Sequence, residues 1–301
     1  MTSPRALALT FQRVEVRTLR LLKRAYLKAI RNIQKFGSPH NEFIDEIVGA
    51  LKAGMEQAYI YGLVSSRTSG KLLLKKELAD MFDEPSRVIA GIWKYDKDIL
   101  KLYFRKQTID KRIFETMFRP HPQAIQFIEE YTVELAHVQE QAILNEVQRI
   151  SKKIVEDGAI KVAKSGTKYT EESALKALLP DFAKSRIHAI ARTETTRAYS
   201  LGNIADSYTE PSIVGYKFVA VLDGLTSPMC RERDGLMIDK NDLGLLSDNT
   251  PPLHVNCRST LFPVFDFEAG KLKNITKENL TATNVRDTDK AQYIRFIQRL
   301  R

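Results

Sequence analysis

The sequence predicts an α+β chain: a mostly helical N-terminal region, a long connecting helix, then a small α+β domain with a short β-sheet and a Cys/His loop. Three observations carry this. Apolar residues recur at steps of three and four over residues 13–61 and again over 122–154. After Pro211 the pattern turns to alternation and short apolar runs. Both cysteines, Cys230 and Cys257, fall among those runs, with His254 three residues before the second.

The 301 residues have room for one large or two ordinary domains, and a hydrophobic content of 43% suffices for a core. The expected divisions are a basic helical region over 1–119, the connecting helix over 120–164, the α+β domain over 165–266 and a C-terminal tail with a short helix over 267–301. No apolar run approaches the roughly 18 residues of a membrane span. The opening MTSPRALALTFQRVEV lacks the apolar core of a signal peptide, so a reducing compartment is expected. No G-x-x-x-x-G-K-[ST] loop is present, which removes the case for an NTPase.

The net charge of +10 is unevenly placed. Residues 1–119 hold 23 Lys and Arg against 13 Asp and Glu, whereas residues 120–301 hold 24 of each. In the first helix, Arg13, Arg17, Arg20, Arg24, Lys28, Arg31 and Lys35 line one face, beside an apolar stripe of Val14, Leu21, Leu22, Ala25, Ala29 and Ile33. Glu15 is the one acid among residues 1–36, so these like charges repel and favour an acidic partner. DNA, an acidic protein face and an anionic membrane surface all meet that condition; a solvated face is the plain alternative. Gly37-Ser38-Pro39 ends the helix.

A second helix is expected from Asn41, an N-cap, to Tyr61, and Ser65–Gly70 reads as a loop. Further helical pieces are expected over Lys71–Phe118. After Pro120-His121-Pro122 the apolar positions Ile128, Tyr131, Leu135, Val138 and Ala142, continued by Ile143, Val147, Ile150 and Ile154, predict the longest helix of the chain. It reads either as a spine between two parts or as an ordinary bundle helix. Pro180 is expected to separate a short helix, capped by Thr170, from a longer one reaching Tyr208.

On that longer helix Glu194 interrupts the apolar face of Ile187, Ile190, Ala198 and Leu201, and a carboxylate there needs a partner. Arg192 and Arg197 point elsewhere by helical position, so an ion pair with Arg258 is expected; a general acid or base is the alternative role. Strands are expected at Val214–Leu222, Leu236–Ile238 and Leu261–Phe265, with Pro263 placing the last at an edge or bulge. The Gly-, Asp-, Ser- and Pro-rich stretch from Asn241 to Pro252 reads as a loop. A short tail helix, Ala291–Leu300, has to dock on the body or on a partner.

Cys230, then His254 and Cys257 in an H-x-x-C hook, offer three of the four ligands that a structural zinc would take. Asp223, Asp234 or a water would supply the fourth. The other reading is that the two thiols pack as small apolar groups while His254 bonds a turn carbonyl.

The runs D-G-x-T-S-x-x-C from Asp223 and P-P-x-H-x-N-C-R-S-T-L from Pro251, preceded by I-A-R-T-E-T-T-R-A from Ile190, resemble the phage Mu protein F-like domain of minor head, or head morphogenesis, proteins of tailed bacteriophages. The resemblance covers about residues 165 to 266. It implies a virion protein of the portal vertex and capsid interior, present in the host cytoplasm during assembly. Portal protein, packaged DNA and scaffold or coat protein are the partners implied. The competing class is a metal-dependent hydrolase or nuclease using Cys230, His254, Cys257 and Glu194, which would need an open coordination position and a base.

Overall fold

The computed structural model describes residues 12–70, 121–157, 160–161, 168–169, 171–265, 280 and 287–300. The expected helical pieces of Lys71–Phe118 lie outside the described residues. Helices are α1 (Gln12–Phe36), α2 (Phe43–Gly70), α3 (Pro122–Asp157), α4 (Glu171–Ser207), α5 (Pro228–Arg233), α6 (Leu243–Asn249) and α7 (Asp287–Leu300). Strands are β1 (Ile160–Lys161), β2 (Lys168–Tyr169), β3 (Ile213–Val219), β4 (Met237–Asp239) and β5 (Thr260–Phe265). Mostly helical with a small three-stranded antiparallel sheet and a two-stranded β1-β2 pair, this is the α+β architecture the sequence predicts.

The described residues form two compact units. One takes Glu15–Gly54 and the described part of Ile128–Ala191. It is a helical core in which Leu22, Ala25, Ala29 and Ile33 of α1 pack with Phe43, Ile47 and Leu51 of α2, Ile143 and Ile150 of α3, and Leu179, Ala183 and Ile187 of α4. Most positions of the apolar stripes read from the sequence are buried or half-buried, but Val138, expected on the α3 stripe, is exposed, and Ala136 and Gln139 take the buried face there. A polar contact that periodicity does not reveal sits among them: buried Gln139 Oε1 accepts from Tyr26 Oη at 3.2 Å and Arg186 Nε at 2.6 Å. Burial pushes the Tyr26 hydroxyl up to about 12, against the pull of Arg186.

α3 has 36 residues, about 54 Å at 1.5 Å per residue. Two helices run further than expected. α2 continues through Ser65–Gly70, because Leu63 and Ser66, on one face of the helix with Tyr59, are buried and that burial outweighs weak local propensity. α4 continues through Pro180 rather than breaking there. Pro180 is exposed, so water can reach the backbone carbonyl that the missing N–H leaves unpaired.

The second unit takes the described residues from Met55 to Phe127 and from Arg192 onward, together with those before Glu15. Its sheet has the order β4-β3-β5, antiparallel throughout, with Tyr216 opposite Ile238 on one side and Pro263 on the other. Pro263 therefore lies on an edge strand, as expected. β3 stops at Val219, short of the expected Leu222, which has a positive φ of 56° and is exposed. The expected Asn241–Pro252 loop holds α6. Asp242 caps it by accepting from Leu245 N, and Ser247, Asn249 and Thr250 bond back to carbonyls three or four residues earlier. Seven residues are too few for a helical period to be visible.

The tail helix docks on this same unit. Tyr293, Phe296, Ile297 and Leu300 are buried, Tyr293 Oη reaches Pro251 O at 3.3 Å, and Lys290 pairs with Asp248 at 2.8 Å.

Candidate metal centre

The centre is built where β3 runs out. Past Val219 the chain turns at Asp223, whose carboxylate accepts from Leu225 N and from the Thr226 hydroxyl. Ser227 then caps α5: its Oγ accepts from Cys230 N at 3.3 Å, and Pro228 follows at the first helical position, where a missing N–H costs nothing. This cap fixes Cys230 one turn into α5, buried.

The second hook follows Pro251-Pro252 and the buried Leu253. Cys257 N donates to His254 O at 3.2 Å, and Asn256 takes the left-handed conformation that closes the turn, with φ 64°. α4 grips this turn from one face. Thr193 Oγ1 accepts from Asn256 N at 3.0 Å, and Thr196 Oγ1 donates to Cys257 O at 2.8 Å. Further along α4, Asn203 Nδ2 donates to Leu261 O, which ties the same helix to β5.

Cys230 Sγ, Cys257 Sγ and a ring nitrogen of His254 thereby lie within 4.8 Å of one another. The sulfurs are 3.7 Å apart, and Cys230 Sγ is 3.1 Å from His254 Nε2. A tetrahedral zinc with sulfur bonds near 2.3 Å has a sulfur–sulfur edge of about 3.8 Å, so the two thiols already stand at that spacing. His254 Nδ1 lies 2.8 Å from Val255 O. A proton on Nδ1 leaves the Nε2 lone pair directed at the sulfurs, the arrangement in which imidazole ligates a metal. These three residues could hold a metal ion.

The electrostatics agree with a thiolate site. The Cys257 thiol first, and then His254, Ser227 and Ser259, stabilise the Cys230 thiolate against the cost of burial and pull its pKa down. Burial pushes the Cys257 thiol up, and the Cys230 thiolate holds the His254 imidazolium above its ordinary range.

Two expected roles change. Asp223 is not in the cluster: Arg258 takes its carboxylate in a two-point pair, Nη1 to Oδ2 at 2.6 Å and Nη2 to Oδ1, and holds it well below the usual carboxylate range. Asp234 Oδ1 accepts from Ala220 N instead. The expected Glu194–Arg258 pair is likewise replaced. Glu194 bonds Arg197 Nε at 2.9 Å, both side chains only 7% exposed. Positions three apart are neighbours on a helix surface, so helical position itself brings Arg197 to Glu194, and such a pair needs no tertiary contact. Thr193, Thr196 and Ser227 were missed, although a Thr-x-x-Thr step on one helix face and a Ser-Pro cap are both readable signals.

A family model described as "Phage Mu protein F like protein" matches residues 136–262. Over these residues the chain is similar to the phage Mu protein F-like family. The match takes in both hooks of the centre and the α4 threonines that grip it, and it begins inside α3, earlier than residue 165. No curated protein and no solved structure matches the chain. The Mu protein F-like family suggests a structural head morphogenesis protein of a phage, with capsid-related partners and a place in the virion. Among the described residues no helix is long and apolar enough to cross a membrane.

The basic face of α1 is solvent-facing in part. Arg20, Arg24, Arg31 and Lys35 are exposed, Arg17 is half-buried, and the side chain of Arg13 lies outside the described residues. Lys28 is engaged: its Nζ pairs with Glu42 at 2.8 Å and with Glu46 at 2.7 Å. Glu42, just before α2, and Glu46 within it thus offset part of the basic run.

Proposed function

We propose that this chain is a minor head protein that acts in capsid assembly at the portal vertex and capsid interior, with the exposed basic face of α1 turned toward an acidic neighbour. The family match over 136–262 carries the reading. Portal protein is the first partner in this proposal, and packaged DNA and scaffold or coat protein are the others. Cys230, His254 and Cys257 hold one structural zinc, which ties the α5 turn to the hook. Their 3.7 Å sulfur spacing and the Nδ1 contact to Val255 O support this. The hydrolase or nuclease alternative requires a base beside a metal-bound water, and Glu194, the carboxylate considered for it, is engaged by Arg197.

The test is a pull-down of the full chain against portal, scaffold and coat proteins and against DNA, with wild type and an Arg20/Arg24/Arg31→Gln variant, alongside metal analysis. Expected are capture of the portal by the wild type, weaker capture by the variant at an unchanged melting temperature, and about one zinc per chain. DNA as the acidic neighbour would show as a slope of log affinity against log salt that falls by about 0.9 for each phosphate contact removed. Equal binding of the variant to every partner would leave α1 with a solvated face only, and turnover of nucleic acid or peptide would favour the enzyme.

A further inference from the structure

We infer that the fourth coordination position of the metal centre is an exchangeable one, held by a water beside Ser227 and open to a neutral nitrogen or oxygen donor. The inference rests on the zinc reading and adds what that reading leaves open: whether the site closes on protein.

Three side-chain donors converge, and the described residues grouped with them include no carboxylate. The two acids that sequence spacing offers are committed, Asp223 to Arg258 and Asp234 to Ala220 N. Two cysteines, one histidine and a water form a known open-site ligand set, whereas closed structural sites draw four ligands from Cys and His.

Ser227 marks where the water sits. Its Oγ lies 2.8 Å from His254 Nε2, the atom that also contacts Cys230 Sγ. A tetrahedral zinc requires a nitrogen–sulfur edge of about 3.6 Å, so the observed 3.1 Å has to open by about half an ångström. His254 is half-buried in a loop between buried Leu253 and exposed Val255, and a small ring shift supplies that opening. Metal binding takes the Nε2 lone pair. Ser227 Oγ then loses its imidazole partner and, standing over the nitrogen–sulfur edge, becomes a hydrogen-bond partner for a water on the metal. A neutral serine hydroxyl is itself a weak metal donor, and it already caps α5 through Cys230 N. Two thiolates cancel the charge of a divalent ion, so the open position exchanges water for a neutral donor such as imidazole without accumulating charge.

The test uses the full chain loaded with cobalt(II) in place of zinc and followed by visible absorption. Expected are thiolate-to-cobalt charge-transfer bands with the ligand-field bands of a four-coordinate site, and a saturable change in the ligand-field bands as imidazole is added. In Ser227→Ala the bound water loses one neutral hydrogen bond, and the imidazole midpoint should fall about fivefold. Four-coordinate bands that no imidazole moves would overturn the inference while leaving the zinc reading intact. Absence of cobalt bands would remove both. An unchanged midpoint in Ser227→Ala, with the metal still bound, would remove Ser227 from the water site, and the wild-type titration stands even if that variant folds poorly.

Discussion

Gly62 of α2 and Gly202 of α4 face one another's helices at a backbone crossing, and replacing either by Ala tests how close that crossing is. A Cβ at 62 would lie 2.1 Å from Tyr199 O, and one at 202 would lie 1.9 Å from Tyr59 O. Ordinary contact begins at 3.4 Å, so the shortfalls are about 1.3 Å and about 1.5 Å. Both obstacles are backbone carbonyls inside helices and cannot rotate away. The helices must separate, which loosens Tyr59, Leu63 and Tyr199, all buried. Overpacking of this kind costs about 1–3 kcal/mol and occasionally more. Ala returns up to about 1 kcal/mol as the better helix former, so with the clash at Gly202 taken at the upper end of that range the net loss expected for Gly202→Ala is about 2 kcal/mol. Gly49→Ala, also on α2, is the control: nothing lies within 4 Å of its Cβ, and it should stabilise by up to about 1 kcal/mol. The assay is urea unfolding followed by far-ultraviolet circular dichroism. Because one separation relieves both clashes, the double variant should lose less than the sum of the two singles. A neutral or stabilising Gly202→Ala would refute the close crossing.

Two further outcomes follow from ion pairs. Glu194→Gln takes from the buried Arg197 guanidinium the carboxylate that stands 2.9 Å away and should destabilise by on the order of 3 kcal/mol; unfolding at the wild-type denaturant midpoint would show that the pair contributes nothing. The Arg258 guanidinium lowers the pKa of Asp223, so this pair contributes stability that is present above the ordinary carboxylate pKa of roughly 3.9 and is lost as pH falls below it. Melting temperatures of wild type and Asp223→Asn should differ at neutral pH, and the gap should narrow progressively as pH falls below about 4 toward the depressed pKa of Asp223; a gap of constant size across that range would mean that Asn disturbs the turn and not the charge.

The helical half of the fold was readable because its signal is periodic. Leu22, Ala25, Ala29 and Ile33 lie on one buried line whatever they pack against, and so do Ile143 and Ile150. Departures arise where a tertiary contact decides. Pro180 and Ser65–Gly70 carry breaker residues, yet one is exposed and the other is held by a buried face, so neither interrupts its helix. In the centre, the donors Cys230, His254 and Cys257 were legible because soft ligands are few in this chain. Their supports were less so: the Thr-x-x-Thr step and the Ser-Pro cap can be read as local patterns, but Thr, Ser and Asp have too many ordinary uses for sequence to assign Thr196, Ser227 or the true partner of Arg258 to the centre.

The exchange of partners has a physical logic. A guanidinium matches a carboxylate best through two parallel bonds, and Asp223, held by Leu225 N and the Thr226 hydroxyl at the end of β3, presents both oxygens at once. Arg258 follows Cys257 directly, so this pair draws the hook toward the turn that leads into α5 and Cys230. Thr193 and Thr196 hold the same hook on α4. Each donor is thus positioned by contacts that involve no metal: Cys230 by the Ser227 cap, and the His254–Cys257 turn by α4 and Asp223. Preorganised donors let a metal bind with little ordering of the chain. An aspartate committed to orienting the hook cannot also serve as a ligand, so the residue that sequence spacing offered as the fourth donor instead helps to set the spacing of the other three.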